Sequence, residues 1–449
     1  MLEDPALAPN VELARAVVGF ALESGAAAAE ATFTVSDRFS TEARADRIEK
    51  LEQSIARSVT LRVFRNGGKA SLTTSDLAPD SLRSFARETV EAAGFVASDP
   101  HAGLPDAVEA PADERDLELY APDVRARAAE DKLADALELE RVARHVDSRI
   151  VNSTGSRVVD ETLAIALANS LGFAGAYRAS QAQIGTGPIA EAGGAKYSAQ
   201  YGSAARSYAA LEPVERVAIT AAKRAVGAIG ARKPATMRCP VIFDRDVASL
   251  VLSDLFAAVS AANVAAGNSF LATKTGERIG SELATIVDDG RLPRGLGTSP
   301  FDAEGVPTRR TVVFERGVLR TFLYDSYYAR RLGAATTGNA SGGSIGPNNF
   351  YLEAGARTLA ELIAATPRGV FVIDTIGFST ESVTGTYSRG ARGFLIEGGE
   401  IAHAIDEFTI ANTLPEMLAG IDAVANDLIF DQPIVAPSFR VAEMTVSGA

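Results

Sequence analysis

The stretch Ala31-Thr32-Phe33-Thr34-Val35 decides the N-terminal fold, because apolar and polar residues alternate along it as they do in a half-buried β-strand. The alternation returns over residues 58–64, and the Asn66-Gly67 pair that follows favours the tight turn of a hairpin. Apolar residues at helical spacing flank these strands over residues 11–23 and 81–92. The first segment is therefore predicted to run helix, strands, helix.

The second segment repeats this order of elements. The pattern predicts a long amphipathic helix over residues 123–145, two strands around Gly155-Ser156 within residues 150–169, a strand over 173–184 and a helix over 214–229. The similarity between the two segments lies in the order of their elements and not in their residues. They are therefore predicted to form two similar helix–strand–helix units.

The third segment has a different composition. Val241-Ile242-Phe243 is typical of a short buried strand, and Asp244 is a candidate N-cap for a strongly apolar helix that reaches about residue 264. Two hairpins are predicted beyond this helix, over residues 311–319 and 393–401, each with two alternating strands around a glycine turn. The segment is therefore predicted to be β-rich with one buried helix.

Together these patterns predict an α+β fold. Two similar helix–strand–helix units form an N-terminal α/β region, and a β-rich C-terminal domain with a buried helix follows. A loop rich in Pro, Asp and Gly is the clearest linker in the sequence. The predicted bounds are residues 1–97 for an N-terminal domain, 98–118 for the linker, 119–232 for a middle domain and 233–449 for the C-terminal domain.

Composition and charge exclude several classes of protein. The 449-residue chain is 47% hydrophobic and carries a formal net charge of −13, without a run of Lys and Arg that could bind phosphates. Its apolar stretches are interrupted by charges well before the roughly 20 residues of a membrane span. The acidic, proline-interrupted N-terminus does not resemble a signal peptide, and a single cysteine cannot form an internal disulfide. We therefore expect a cytoplasmic protein that binds neither nucleic acid nor membranes.

The residues that usually carry catalysis are scarce and scattered. The three histidines, His101, His145 and His403, lie far apart in sequence, so a zinc-binding pair on one helix is absent. Cys239, next to Pro240, is more typical of a small buried apolar residue than of a ligand. A Ser-His-acid triad would need one of these histidines, and no nucleophile elbow is present. The residues predict neither a metal site nor a nucleophilic triad.

A glycine-rich segment over residues 336–349 is the main candidate for binding a ligand. It contains Thr337, Gly338 and Asn339, and it leads into a predicted strand that holds Tyr351. Glycine permits close approach of a backbone, so one interpretation is a loop that lines a peptide groove beside a strand edge open to an added peptide. The other interpretation is a flexible surface loop.

The third segment also carries an ordered set of motifs that resembles the TldD/PmbA family, known too as modulators of DNA gyrase. Some motifs resemble its PmbA (TldE) branch in particular. The set consists of residues 301–308, Gly317-Val318-Leu319, Thr337-Gly338-Asn339-Ala340, residues 349–352, residues 384–394 with Arg389 among them, residues 397–401, Asn426-Asp427-Leu428 and residues 441–448. Single pieces are weak, but the ordered set is strong, and the resemblance covers nearly the whole chain.

The resemblance implies a peptidase assembly. Its active arm, TldD, is a zinc metallopeptidase that cleaves unstructured peptides within a two-subunit complex, with ligands on a His-Glu-x-x-x-His helix and a cysteine near the C-terminus. Ser253 and Ala258 stand at the two histidine positions, Asp254 stands at that of the glutamate, the base for the metal-bound water, and residues 430–437 contain no cysteine. The resemblance therefore implies a subunit without a catalytic residue, metal or cofactor of its own. It would bind a TldD-like metallopeptidase and unfolded peptide, and form a homodimer when alone.

Two alternatives remain at this point. The chain could be an independent non-zinc hydrolase that uses Asp254, Asp302 and Glu304, of which the last two would share a face of a strand, or would cap or turn in a loop. It could also be a self-associating protein that binds peptides as a scaffold.

Overall fold

The structure is a computed structural model that describes residues 5–106, 114–377 and 380–448. Its mixed α+β architecture confirms the predicted fold class. The helices are α1 (Ala8–Glu23), α2 (Pro79–Gly94), α3 (Pro122–Ala126), α4 (Ala129–His145), α5 (Val214–Gly227), α6 (Arg245–Val259), α7 (Ala261–Ala265), α8 (Ser326–Leu332), α9 (Leu359–Ala364) and α10 (Leu414–Ala419).

The strands divide between the two halves of the chain. Those of the N-terminal half are β1 (Ala28–Arg44), β2 (Arg47–Arg65), β3 (Gly68–Thr74), β4 (Ile150–Asn169), β5 (Ala174–Ala192), β6 (Ala195–Ser198) and β7 (Tyr201–Ala205). Those of the C-terminal half are β8 (Met237–Phe243), β9 (Ile286–Asp289), β10 (Arg310–Glu315), β11 (Val318–Leu319), β12 (Ala340–Ser341), β13 (Ser344–Ile345), β14 (Phe350–Leu352), β15 (Arg368–Ile376), β16 (Thr380–Glu381), β17 (Thr386–Glu397), β18 (Glu400–Thr413), β19 (Ile421–Val424), β20 (Ile434–Val435) and β21 (Phe439–Ser447).

The N-terminal strands form one antiparallel sheet in the order β3-β2-β1-β4-β5-β6, and β7 also pairs with β5. The pairing of β1 with β4, from Glu30 opposite Asn169 to Ala43 opposite Ser156, joins the two helix–strand–helix units. Helices α1 and α2 pack on the β1–β2 end of this sheet, and α4 and α5 pack near β4 and β5. The residues predicted for the first two domains therefore contribute to a single sheet.

Three predicted elements differ in detail. Residues 150–169 form the single strand β4, because Gly155, with φ of +113°, carries the chain through an irregularity in the ladder. A Cβ at Gly155 would lie 2.5 Å from a carboxylate oxygen of Glu42. The helix predicted over residues 123–145 is divided into α3 and α4 by the extended backbone of Arg127. The apolar helix ends at Val259, where the extended Ser260 separates α6 from α7.

The C-terminal half surrounds α6 with two sheets. One has the order β15-β8-β21-β18-β17-β16, with β19 on β21, and the other has the order β11-β10-β9-β14-β20. Helix α6 packs against β8 and β15 of the first sheet and against β14 and β20 of the second. The two predicted hairpins are present as β10–β11 and β17–β18. These contacts confirm a β-rich C-terminal region with a buried helix.

The expected strand edge at Tyr351 is wrong. Strand β14 pairs with β9 on one side and, in parallel, with β20 on the other, because residues 434–435 return to this sheet. An extended peptide therefore cannot be added at β14. Across the described ranges, no helix is both long enough and apolar enough to cross a membrane.

Candidate functional site

Helix α6 carries Ser253 and Ala258, where the resemblance places two histidine ligands of zinc, and Asp254, where it places the glutamate base. Asp244 caps the helix, as predicted, by accepting a hydrogen bond from the backbone of Asp246 at 3.2 Å. One side of the helix is fully apolar and lies in the C-terminal core, with members Val247, Ala248, Val251, Leu252, Leu255, Ala258 and Val259. The helix is therefore fixed in rotation, and this fixes where Ser253, Asp254 and Ala258 lie.

The three α6 positions supply one carboxylate between them, and that carboxylate is already paired. The Ser253 hydroxyl donates to the Ser249 carbonyl one turn earlier, at 3.0 Å. Ala258 is 1% exposed and presents only a methyl group to the core. Asp254 accepts hydrogen bonds at the same oxygen, Oδ2, from Arg389 at 2.7 Å and from the Thr380 hydroxyl at 2.8 Å. The residues at this place do not fit a zinc ion.

The Asp254–Arg389 ion pair is mostly buried, with side-chain exposures of 18% and 8%. Arg389 also lies over the ring of Tyr387, 5.4 Å from its centroid, and Tyr387 is fully buried. Burial raises the pKa of Tyr387. Within residues 5–106, 114–377 and 380–448, neither the Tyr387 hydroxyl nor the Arg389 Nε has a hydrogen-bond partner. In this charge-compensated pair, Asp254 occupies the position at which the resemblance places the glutamate base.

Other potential metal ligands lie on separate elements. His101 is in the segment that follows α2, His145 ends α4 and His403 is on β18. Burial raises the pKa of the Cys239 thiol, on β8, to about 11, which keeps it protonated and weakly reactive. In the part of the chain that the structure describes, no group of three His, Cys, Asp or Glu side chains could hold a metal ion.

The predicted linker is described in part. Residues 107–113 lie outside the described residues. Before them, Arg330 of α8 donates hydrogen bonds to the carbonyls of His101, Gly103 and Leu104 at 2.8–2.9 Å. This part of the linker is therefore fastened to the C-terminal region.

One candidate peptide-binding residue, Asn339, bonds the buried carboxylate of Asp288 directly, and Thr337 and Gly338 are linked to it through Asn339 and Asn348. Asn339 and Asn348 donate to Asp288 Oδ2 at 2.7 and 2.9 Å. The Thr337 hydroxyl accepts from the Tyr324 backbone and donates to Asn339 Oδ1. Burial raises the pKa of Asp288 to about 6, although the hydrogen bonds from the two asparagines oppose that rise. These contacts order the start of the glycine-rich segment.

Position 338 requires glycine, and Tyr351 lies apart from the residues around Asp288. Gly338 has φ of +74°, and a Cβ there would lie 2.8 Å from the Pro307 carbonyl oxygen. Tyr351 is half-buried and packs edge-on against Phe430, with ring centroids 5.1 Å apart. The structure therefore brings Thr337, Gly338 and Asn339 together, while the Tyr351 ring contacts a different segment.

A cavity of about 330 Å³ lies beside the glycine-rich segment. It is bounded by that segment on one side and by the N-terminal sheet on the other. Its lining includes Thr34, Tyr177, Arg206, Asn339, Ser341 and Asn348. The amide nitrogens of Asn339 and Asn348 already donate to Asp288, Gly346 and Gly338, so they shape this wall, and the hydroxyls and the aromatic ring of the lining are suited to contacting a polypeptide.

Asp302 and Glu304 lie in a turn rather than on a strand. Asp302 accepts backbone hydrogen bonds from Glu304, Val306 and Ala340 at 2.9–3.0 Å. Glu304 accepts from the Ser326 backbone at 3.0 Å and from Arg62 at 3.1 Å. Both carboxylates are thus occupied in fastening the turn, and the expectation that they share a face of a strand is wrong.

Arg62 joins this turn to the N-terminal sheet. Its guanidinium is 2.9 Å from Glu30 and 3.1 Å from Glu304. Burial raises the pKa of Glu30 to about 8 and that of Asp302 to about 7.

Sequence reasoning did not identify Arg62, Glu30 or the Arg389 and Thr380 contacts to Asp254. Arg389 belongs to a family motif, which was the available signal for its importance.

Comparisons with known proteins identify the family of this chain. The models of PmbA/TldA metallopeptidase domain 1, central domain and C-terminal domain match residues 29–93, 122–229 and 236–448. The metalloprotease PmbA homolog of Haemophilus influenzae is 32% identical over 441 residues, covering 97% of this chain and 96% of that protein.

Two solved structures are similar over nearly the whole chain. A Bacteroides thetaiotaomicron protein, proposed as a modulator of DNA gyrase, superposes with a TM-score of 0.92 at 26% identity and covers 100% of both chains. TldE from Thermococcus kodakarensis superposes with a TM-score of 0.85 at 22% identity, covering 97% of this chain and 100% of that one, and so shares the fold. With three domain matches in order and a relative aligned over almost its full length, the chain belongs to the PmbA/TldD metallopeptidase family.

Proposed function

We propose that this chain is a non-catalytic, TldE-like subunit of a zinc metallopeptidase complex that degrades unfolded peptides. The observation that carries the proposal is the Asp254–Arg389 ion pair on α6: a guanidinium holds the carboxylate at the position of the glutamate base, beside two ligand positions, Ser253 and Ala258, that lack histidine. Asp254 is the only carboxylate among the three aligned positions, and a guanidinium already holds it.

Charge argues against zinc at this position. A guanidinium remains protonated in proteins, and here it is 2.7 Å from the carboxylate that a cation would need. Zinc would have to displace the Arg389 guanidinium, which is 8% exposed, from the Asp254 carboxylate, and would gain one carboxylate in return. Structural and catalytic zinc sites usually supply three or four protein ligands. The metal and its activated water would therefore come from a TldD-like partner.

The cavity beside the glycine-rich segment supports a peptide-binding role. Asn339 and Asn348 are held by Asp288, so their positions are set before a ligand arrives. A preformed wall loses less conformational entropy on binding than a mobile one. We propose that this cavity holds part of an unfolded peptide while the partner subunit cleaves it.

Reconstitution tests the catalytic part of this proposal. The purified chain, a TldD-like metallopeptidase and their mixture are each given an unfolded peptide, with and without a chelator. We expect cleavage by the mixture that the chelator abolishes, and none by this chain alone. The Asp254→Asn variant should support cleavage as well as the unaltered chain does. Equal cleavage by the isolated, metal-free chain and by the mixture would refute the proposal.

A separate measurement tests the cavity. Ser341→Trp places a large ring at its lining, and we expect peptide affinity to fall by about tenfold or more. Ser148→Trp, at an exposed serine between α4 and β4, is the matched control and should bind peptide normally. Unchanged affinity in Ser341→Trp would place the peptide elsewhere.

A further inference from the structure

The long strand β2 leaves part of its edge unpaired. It pairs with β1 along its whole length, but with β3 only over residues 59–65. Among the described strands, nothing pairs with the other side of residues 47–58, which we call the free edge of β2. Exposed strand edges offer a row of unpaired backbone donors and acceptors, and proteins normally cover or blunt them.

The free edge also carries apolar side chains in solvent. Leu51 is 54% exposed and Ile55 is 64% exposed, and both lie on the same face of the sheet because they are four residues apart on one strand. Scattered exposed apolar residues are ordinary, but two on one unpaired edge favour association. The remaining question is which chain would cover this edge.

The sequence of the free edge is complementary to itself. Two copies related by a twofold axis pair antiparallel, with one residue of the strand lying on the axis. Only this arrangement sets the outward-pointing backbone groups of the two copies opposite each other. Centred on Gln53, the register places Leu51 opposite Ile55 of the second copy, and Ile55 opposite its Leu51. Apolar pairs across strands stabilise a sheet.

Neighbouring registers lack this match. Centred on Glu52, Arg47 would face Arg57, and Leu51 would face Gln53. Centred on Ser54, Leu51 would face Arg57, and Ile55 would face Gln53. The ladder to β1 shifts beside Glu49, so the regular part of the free edge runs from Lys50 to Ser58 and contains both apolar pairs of the Gln53 register.

We propose that two copies of this chain associate through the free edge of β2, in an antiparallel register centred on Gln53, to form a continuous sheet across a twofold axis. The occupant of the edge is a second copy, and each copy supplies one Leu51 and one Ile55 to the junction. This self-association does not depend on the presence of a metallopeptidase partner.

Cysteine crosslinking of the full chain tests the register. In Gln53→Cys the two thiols lie directly opposite each other, so a short bifunctional thiol reagent should link the copies efficiently. In Leu51→Cys they lie about 13 Å apart along the strands and should not be linked. The native Cys239 is buried and should not contribute to the crosslink. Crosslinking of Leu51→Cys but not of Gln53→Cys would overturn the register.

Sedimentation equilibrium tests the interface itself. The unaltered chain should be dimeric, and Ile55→Lys should raise the dissociation constant by about tenfold or more, because two apolar pairs are lost. Leu72→Lys, at a residue 43% exposed on β3 of the same sheet, is the matched control and should remain dimeric. An unchanged circular-dichroism spectrum of Ile55→Lys excludes misfolding as the cause. A monomeric unaltered chain, or a dimer that Ile55→Lys leaves intact, would overturn the proposal.

Discussion

Two buried groups of charges differ in their balance. On α6, the carboxylate of Asp254 contacts the guanidinium of Arg389. At the junction between the N-terminal sheet and the C-terminal domain, the guanidinium of Arg62 lies among three carboxylates, those of Glu30, Asp302 and Glu304. The first site balances its charges. The second has more carboxylates than cations, and burial raises the pKa of Glu30 and Asp302 so that they retain protons. The comparison shows that density of acidic residues is a poor guide to catalysis here, because the denser group fastens two parts of the fold.

The largest effect should come from removing the cation at the junction. Arg62→Ala leaves Glu30 and Glu304 buried without their partner, so we expect the free energy of unfolding at pH 8 to fall by about 3–5 kcal/mol. Chemical denaturation measures this change. Arg15→Ala, at an exposed arginine of α1, is the control and should change stability by less than about 0.5 kcal/mol. Equal stability of the two variants would mean that the junction does not depend on this pair.

The pH dependence of stability sharpens the same contrast. The pKa of Glu30 rises from 4.5 to about 8 on folding, and that of Asp302 from 3.8 to about 7, so the folded chain keeps protons that the unfolded chain releases. Their contribution is fully favourable below the unfolded pKa values and is lost as pH rises through about 7 and 8. Unfolding measured from pH 5.5 to 9 should therefore show stability falling with pH.

Glu30→Gln isolates that contribution. The amide cannot ionise, so the variant should be more stable than the unaltered chain above pH 8, by about 1–3 kcal/mol, and its stability should fall less with pH. Glu277→Gln, at an exposed position outside both the junction and the free edge of β2, is the matched control and should keep the original pH profile. Parallel pH profiles for Glu30→Gln and the unaltered chain would show that Glu30 is already ionised in the folded state.

The smallest effect is expected at α6. Asp254→Ala leaves the Arg389 guanidinium without its carboxylate, but the 18% exposure of Asp254 permits water to replace part of the interaction. We expect a loss of about 1–2 kcal/mol for Asp254→Ala and less for Asp254→Asn, which retains an acceptor for Thr380. Denaturation of both variants provides the measurement. A gain in stability on either substitution would contradict a stabilising Asp254–Arg389 pair.

Patterns of hydrophobicity predicted much of the fold. Alternation and helical spacing identified α1, β1, α2 and the hairpins, and Asp244 was identified as the cap of α6. The pairing of β1 with β4 could not be predicted, because it joins residues about 125 apart in the chain. It depends on how the outer strands of the two helix–strand–helix units fit together. For the same reason, the return of residues 434–435 beside β14 removed an edge that the local sequence seemed to offer.

The candidate site was only partly accessible from sequence. The missing donors at Ser253 and Ala258 follow from residue identity, since a methyl group cannot bind a metal. That Arg389, 135 residues further along the chain, would bind Asp254 required the three-dimensional structure. Likewise, Asp302 and Glu304 were sequence candidates for catalysis until their oxygens were found bonded to backbone amides and Arg62.

The central claim is that the Asp254–Arg389 pair on α6 replaces a metal site, and the zinc content of the purified chain tests it most directly. After dialysis against a zinc-containing buffer and then a zinc-free one, elemental analysis should find well below one zinc ion per chain. Asp254→Asn should give the same value. One tightly held zinc ion per unaltered chain, lost in Asp254→Asn, would contradict the account.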